Sequence, residues 1–99
     1  MIKVGEHITL DIVGTTKEYS PEFFEKIVYR IAKIAKVTVL EISKYKFEPQ
    51  GFTLVALLAE SHISFHTYPE KGIISFDFFT CANVSPSVAI NIIKDEIEH

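Results

Sequence analysis

A single cysteine in 99 residues, Cys81, leaves no partner for an internal disulfide, so a reducing cytoplasm is the expected compartment. Positive charge is also scarce: ten Lys and Arg against thirteen Asp and Glu give a net charge of −3 at pH 7. With no Lys/Arg cluster, a general nucleic-acid surface is not expected. No apolar run approaches the length of a membrane span, and the start MIKVGEHITLD is charged and lacks the apolar stretch of a signal peptide. These absences predict a soluble, cytoplasmic protein without nucleic-acid or membrane partners. Repeats, linkers and low-complexity segments are lacking too. That leaves one domain over 1–99, near the lower end of what one core supports. Its 47% hydrophobic and 12% aromatic residues supply such a core and leave enough over for a subunit interface.

Periodicity divides the chain. Ile8, Leu10 and Ile12 alternate with His7, Thr9, Asp11 and Val13, the period of a strand with one buried face. Ser20-Pro21-Glu22 reads as a helix start, and Phe24, Ile27, Val28, Ile31 and Ala35 follow at helical spacing, predicting a helix over about 21–36. Val37 to Phe47 is β-branched and aromatic, a strand ended by Glu48-Pro49-Gln50-Gly51. Strand-like runs follow near 52–59, 62–67 and 73–81. Ser85-Pro86 repeats the Ser-Pro helix start, with Ala89, Ile90, Ile93 and Ile97 marking a closing helix. The order β-α-β-β-β-β-α predicts an α+β two-layer sandwich: an antiparallel sheet with helices on one face.

The reactive side chains cluster. Between Ala59 and Cys81 lie Glu60, Ser61, His62, His66, Glu70, Asp77 and the lone cysteine, the types that perform nucleophilic and proton-transfer chemistry. If 52–59 and 62–67 pair as a tight hairpin, its turn falls at about Glu60-Ser61 and Thr53 or Leu54 sits across from His66. The next hairpin, through Tyr68 to Gly72, places Cys81 at the same end of the sheet as Ser61. His66 has the opposite strand parity and lies roughly 16 Å away. One protomer therefore offers two half-sites, Ser61 with Cys81 and Thr53 with His66, too far apart to cooperate. A twofold dimer unites them across its interface. His62 and His66, i and i+4 on a strand, are about 13 Å apart, so no metal site is expected from them within one chain.

Taken singly, these residues have plain alternatives. Ser61 serves as a turn residue, His62 and His66 as satisfied histidines on a sheet face, and Cys81 and Phe47 as core. Glu70 reads as a solvated carboxylate. The run ESHISFHTYPEKG followed by DFFTC nevertheless resembles the signature of the prokaryotic S-adenosylmethionine decarboxylase proenzymes, a family of small pyruvoyl enzymes. Glu60, Ser61, His62, His66, Thr67, Tyr68, Pro69, Glu70, Gly72, Asp77, Phe79, Thr80 and Cys81 carry the match. Gly5-x-His7 and Phe47 before Pro49 fit it as well. The chain departs from the pattern at Thr53, where serine is usual, and at Ala82-Asn83, where a glycine is common. It also ends soon after its second helix, where many relatives carry a further strand.

The resemblance implies autocatalytic cleavage of a zymogen between Glu60 and Ser61, giving chains 1–60 and 61–99. Residue 61 becomes an amino-terminal pyruvoyl group, the cofactor, which takes the substrate amine as a Schiff base. His66 is implied as the base that removes the Ser61 α-proton, with the Thr53 hydroxyl in support, and Cys81 as the proton donor to the substrate carbon. Phe47 is implied to stack on adenine and Glu70 to hold ribose hydroxyls. The implied activity is S-adenosylmethionine decarboxylation for polyamine (spermidine) biosynthesis, by a homodimer joined through its sheets. Two alternatives stand beside it: a pyruvoyl decarboxylase of arginine or another basic amino acid, and an unprocessed, non-catalytic relative.

Overall fold

Alternating apolar and polar residues set one sheet between helices and an open face. The computed structural model describes residues 5–81 and 85–97. Strands β1 (Glu6–Val13), β2 (Val39–Lys46), β3 (Phe52–Leu58), β4 (Ser61–Tyr68) and β5 (Ile73–Thr80) pair antiparallel in the order β1-β5-β4-β3-β2. Helix α1 (Pro21–Ala35) connects the two edges, and α2 (Ser87–Glu96) follows β5. The predicted element order and the two-layer α+β architecture both hold. Ala82 and Asn83 lie outside the described residues.

Burial follows strand parity. β5 alternates half-buried and buried residues along its whole length. The inward positions Ile12, Leu54, Ala56, Leu58, Ile63, Phe65, Ile74, Phe76 and Phe78 form one core with Phe24, Ile27, Val28 and Ile31 of α1 and Ala89, Ile92 and Ile93 of α2. Each fully buried phenylalanine there contributes roughly 1.5–3 kcal/mol relative to exposure. Ser20 caps α1, its hydroxyl accepting from the Phe23 N–H at 3.2 Å, and Lys36 ends the helix in the left-handed conformation.

Small differences from expectation have local causes. β2 is shorter than 37–47 because the Val37 N–H closes the end of α1 on the Ala32 carbonyl and the Phe47 N–H turns to the Gly51 carbonyl. α2 begins at Ser87: Pro86 occupies the cap position, and Ser85 Oγ accepts from the Ser87 N–H at 3.3 Å. Ile92, rather than Ile90, is fully buried on that helix.

The opposite face of the sheet is covered by no helix among the described residues. Register places His7, Thr9, Asp11, Ile73, Ser75, Asp77, Phe79, His62, Ser64, His66, Thr53, Val55 and Leu57 on it. Val13, Tyr45, Val55, Leu57 and Tyr68 on this face are all exposed. No described helix is long and apolar enough to cross a membrane.

Candidate active site

The β3–β4 hairpin turns through Ala59 and Glu60, one residue earlier than expected, so Ser61 already pairs with Leu58. Glu60 has φ of 62°, a left-handed conformation that costs a residue with a Cβ roughly 1–2 kcal/mol. Its carbonyl accepts a long hydrogen bond from the Cys81 N–H at 3.4 Å. Ser61 is buried, and its hydroxyl donates to Thr80 Oγ1 at 3.1 Å. Opposed positions Ser61 and Thr80 explain the contact. Ser61 and Cys81 thus share one end of the sheet, as expected. The thiol-bearing Cys81 is exposed rather than core.

The other end of β4 carries the second group. Thr53, not Leu54, lies across from His66, and Thr53 Oγ1 is 3.0 Å from His66 Nδ1. That contact fixes the ring and turns Nε2 away. Both residues line a cavity of about 410 Å³ with Phe47, Gln50, Tyr68 and Glu70. The 47–51 loop that presents Phe47 is closed by a Phe47 N–H to Gly51 carbonyl bond of 2.8 Å. Gly51 has φ of 92°, and a Cβ there would meet the Thr67 carbonyl at 2.9 Å, so only glycine fits the closure. Phe47 is 47% exposed, which sets aside its reading as core. Four residues singled out from sequence, Phe47, Thr53, His66 and Glu70, therefore meet in one ligand-sized cavity. Ser61 and Cys81 do not join them.

A third group escaped the sequence reading. His7 and His62 flank Phe79 from β1 and β4, and Asp77 lies two residues along β5 on the same face. Asp77 Oδ2 is 2.6 Å from His7 Nε2 and 3.4 Å from His62 Nε2. Ser64 Oγ donates to the other carboxylate oxygen. Burial opposes ionisation of Asp77, but the bonds from Ser64, His7 and His62 outweigh it and hold the carboxyl below its usual range. The signal was the β1–β5 register, which joins residues far apart in sequence.

Comparison with known proteins now bears on this geometry. The family model described as S-adenosylmethionine decarboxylase matches residues 6–99. An S-adenosylmethionine decarboxylase proenzyme of Synechococcus is 40% identical over 98 residues, covering 96% of this chain and 77% of that protein. One from Methanococcus vannielii is 40% identical, covering 96% of this chain and 80% of its own. The crystal structure of the adenosylmethionine decarboxylase of Aquifex aeolicus superposes with a TM-score of 0.75 at 35% identity, over 94% of this chain and 80% of that one. With a signature turn, a ligand-sized cavity and matches across nearly its whole length, this chain belongs to the S-adenosylmethionine decarboxylase family.

Proposed function

We propose that this protein decarboxylates S-adenosylmethionine after cutting itself between Glu60 and Ser61. The observation that carries the reading is the turn: a left-handed Glu60 whose carbonyl meets the Cys81 N–H, beside a buried, hydrogen-bonded Ser61 hydroxyl. Ser61 Oγ attacks the Glu60 carbonyl carbon, and its proton passes to the amide nitrogen as the C–N bond breaks, leaving an ester. The Cys81 N–H faces the oxygen on which negative charge builds during that attack. A base then takes the α-proton of residue 61, and Glu60 departs as a carboxylate. Water replaces the nitrogen of the resulting dehydroalanine, ammonia leaves, and a pyruvoyl group remains at residue 61. Its carbonyl supplies the electron sink that decarboxylation of an amino acid needs.

The chain's own residues divide the remaining work. His66, oriented by Thr53, is the base for the α-proton. It comes from a second copy of the chain, because Ser61 and His66 sit at opposite ends of β4. The open sheet face, with its exposed Val13, Val55 and Leu57, is the surface through which two copies join as a cytoplasmic homodimer. Phe47 stacks on adenine, Glu70 binds the ribose hydroxyls, and the Glu70 carboxylate favours a cationic sulfonium nearby. Cys81, exposed beside residue 61, protonates the carbon left by carbon dioxide. The product carries an aminopropyl group for polyamine synthesis, spermidine among its products.

Intact mass of the purified protein tests the maturation: two fragments with a modified residue 61 are expected, and Ser61→Ala should give one full-length chain. A single uncut wild-type chain would point to a non-catalytic relative. The matured protein is then offered carboxyl-labelled S-adenosylmethionine, arginine, ornithine and lysine. Carbon dioxide from arginine alone would overturn the substrate and spare the chemistry.

A further inference from the structure

We propose that His7, His62 and Asp77 form a binding site for one divalent transition-metal cation of the zinc class. Three adjacent strands contribute one ligand atom each, and those atoms all lie within 4.8 Å of one another. Both imidazoles turn Nε2 toward the same carboxylate oxygen, Asp77 Oδ2. Ser64 engages the other oxygen, Oδ1, as an outer partner does when it orients a metal-binding carboxylate. Phe79 supports both rings, with centroids 6.0 Å from His7 and 5.9 Å from His62. Two imidazoles and one carboxylate suit a borderline-soft ion, whereas magnesium and calcium prefer all-oxygen sets.

The geometry needs only side-chain adjustment. Zinc bonds of about 2.0–2.1 Å place tetrahedral ligands about 3.3 Å apart. The His62–Asp77 separation of 3.4 Å already fits, and the His7–Asp77 contact of 2.6 Å must open slightly. In one protomer the His7 and His62 side chains are 49% and 42% exposed, so both have room to move and an ion can enter before two copies join. A fourth position stays open to water. This departs from the expectation of no metal, which considered His62 with His66 and not His7. One consequence rests on the proposed cleavage: His7 then belongs to the fragment 1–60 and the other two ligands to 61–99, so the ion ties the fragments together at the β1–β5–β4 end beside the cut.

Binding itself does not depend on cleavage, and the test keeps the two apart. Chelator-stripped wild-type protein and the uncut Ser61→Ala chain are each titrated with Zn²⁺ by calorimetry and with Co²⁺ by visible absorption. One ion per chain at micromolar affinity or tighter is expected for both, with a rise in thermal midpoint on adding zinc. Ser64→Ala should weaken zinc about 10- to 100-fold, and His7→Ala or Asp77→Asn should weaken it further. Thermal melts without metal verify that each variant is folded; His62→Ala serves if one of them is not. Absence of binding up to millimolar zinc, or binding unchanged by His7→Ala and His62→Ala, would overturn the site, whatever the outcome of cleavage.

Discussion

Thr53→Val removes one oxygen from the proposed maturation machinery and nearly nothing else. Valine keeps the β-branch and shape, so β3 and its pairing with β4 at Thr53–His66 should persist. Lost is the 3.0 Å contact to His66 Nδ1, which holds the ring's rotation. A hydrogen bond to a neutral group contributes about 0.5–1.5 kcal/mol net, and one to a charged group about 1.5–3 kcal/mol. Imidazole becomes imidazolium as it takes the α-proton, so the larger range applies in that transition state. At tenfold per 1.36 kcal/mol, completion of cleavage should slow roughly 10- to 100-fold. Thr53→Ser keeps the hydroxyl and only frees its rotation, so it should stay within about fivefold of wild type. The assay follows freshly synthesised chain by denaturing gel and intact mass. Hydroxylamine, which cuts esters, should release fragments early from Thr53→Val, because the shift precedes the step that is slowed. Wild-type cleavage kinetics in Thr53→Val would refute the role. Equal slowing in Thr53→Ser would mean that shape, not the hydroxyl, matters.

Two further outcomes follow from the turn and the separated half-sites. Glu60→Gly relieves a left-handed strain of roughly 1–2 kcal/mol, so self-cleavage should slow about 5- to 30-fold; cleavage as fast as wild type would show that the strain is not used. Mixed dimers of Ser61→Ala with His66→Ala contain one intact pairing, so cleavage of the His66→Ala chain should recover on mixing. No recovery despite confirmed exchange of subunits would contradict a shared site.

Much of this was legible because strand parity is a strict rule. Inward residues such as Leu54, Ile63 and Phe76 alternate with outward ones, and a two-residue turn then fixes which residues oppose each other. Thr53 or Leu54 against His66 and Ser61 beside Cys81 came from that arithmetic; the structure decides the first for Thr53 and places the second so. Two things were not legible. The left-handed Glu60 carries no sequence mark, since glutamate is not a residue that turns of this kind select. The His7–Asp77 contact depends on β1 joining the sheet next to β5 rather than beside β2, and the alternation in β1 is the same for either neighbour. Tertiary order decided it. The roles of Phe47 and Glu70 rested on resemblance, and the shared cavity gives them a physical basis.

β4 is the reason the proposed pairing of Ser61 with His66 requires a second copy. It is paired on both sides along its length, with β3 and with β5, so the sheet does not bend to bring Ser61 toward His66. Two such sheets meeting face to face lie about 10 Å apart, and a twofold axis running across the strands reverses the partner's β4. For the Ser61 end of one copy to reach the His66 end of the other, that axis must pass near the midpoint between them, at Ile63 and Ser64. Register puts Ser64 in a row with Thr9, Asp77 and Val55. An axis parallel to the strands would instead pair like ends and leave both half-sites incomplete. The proposed ester shift removes the last obstacle: Ser61 points toward the helices in the intact strand, and breaking its amide bond makes residue 61 an amino terminus before the α-proton is taken. A residue made into a chain terminus is no longer held to that alternation and is free to turn toward the facing sheet.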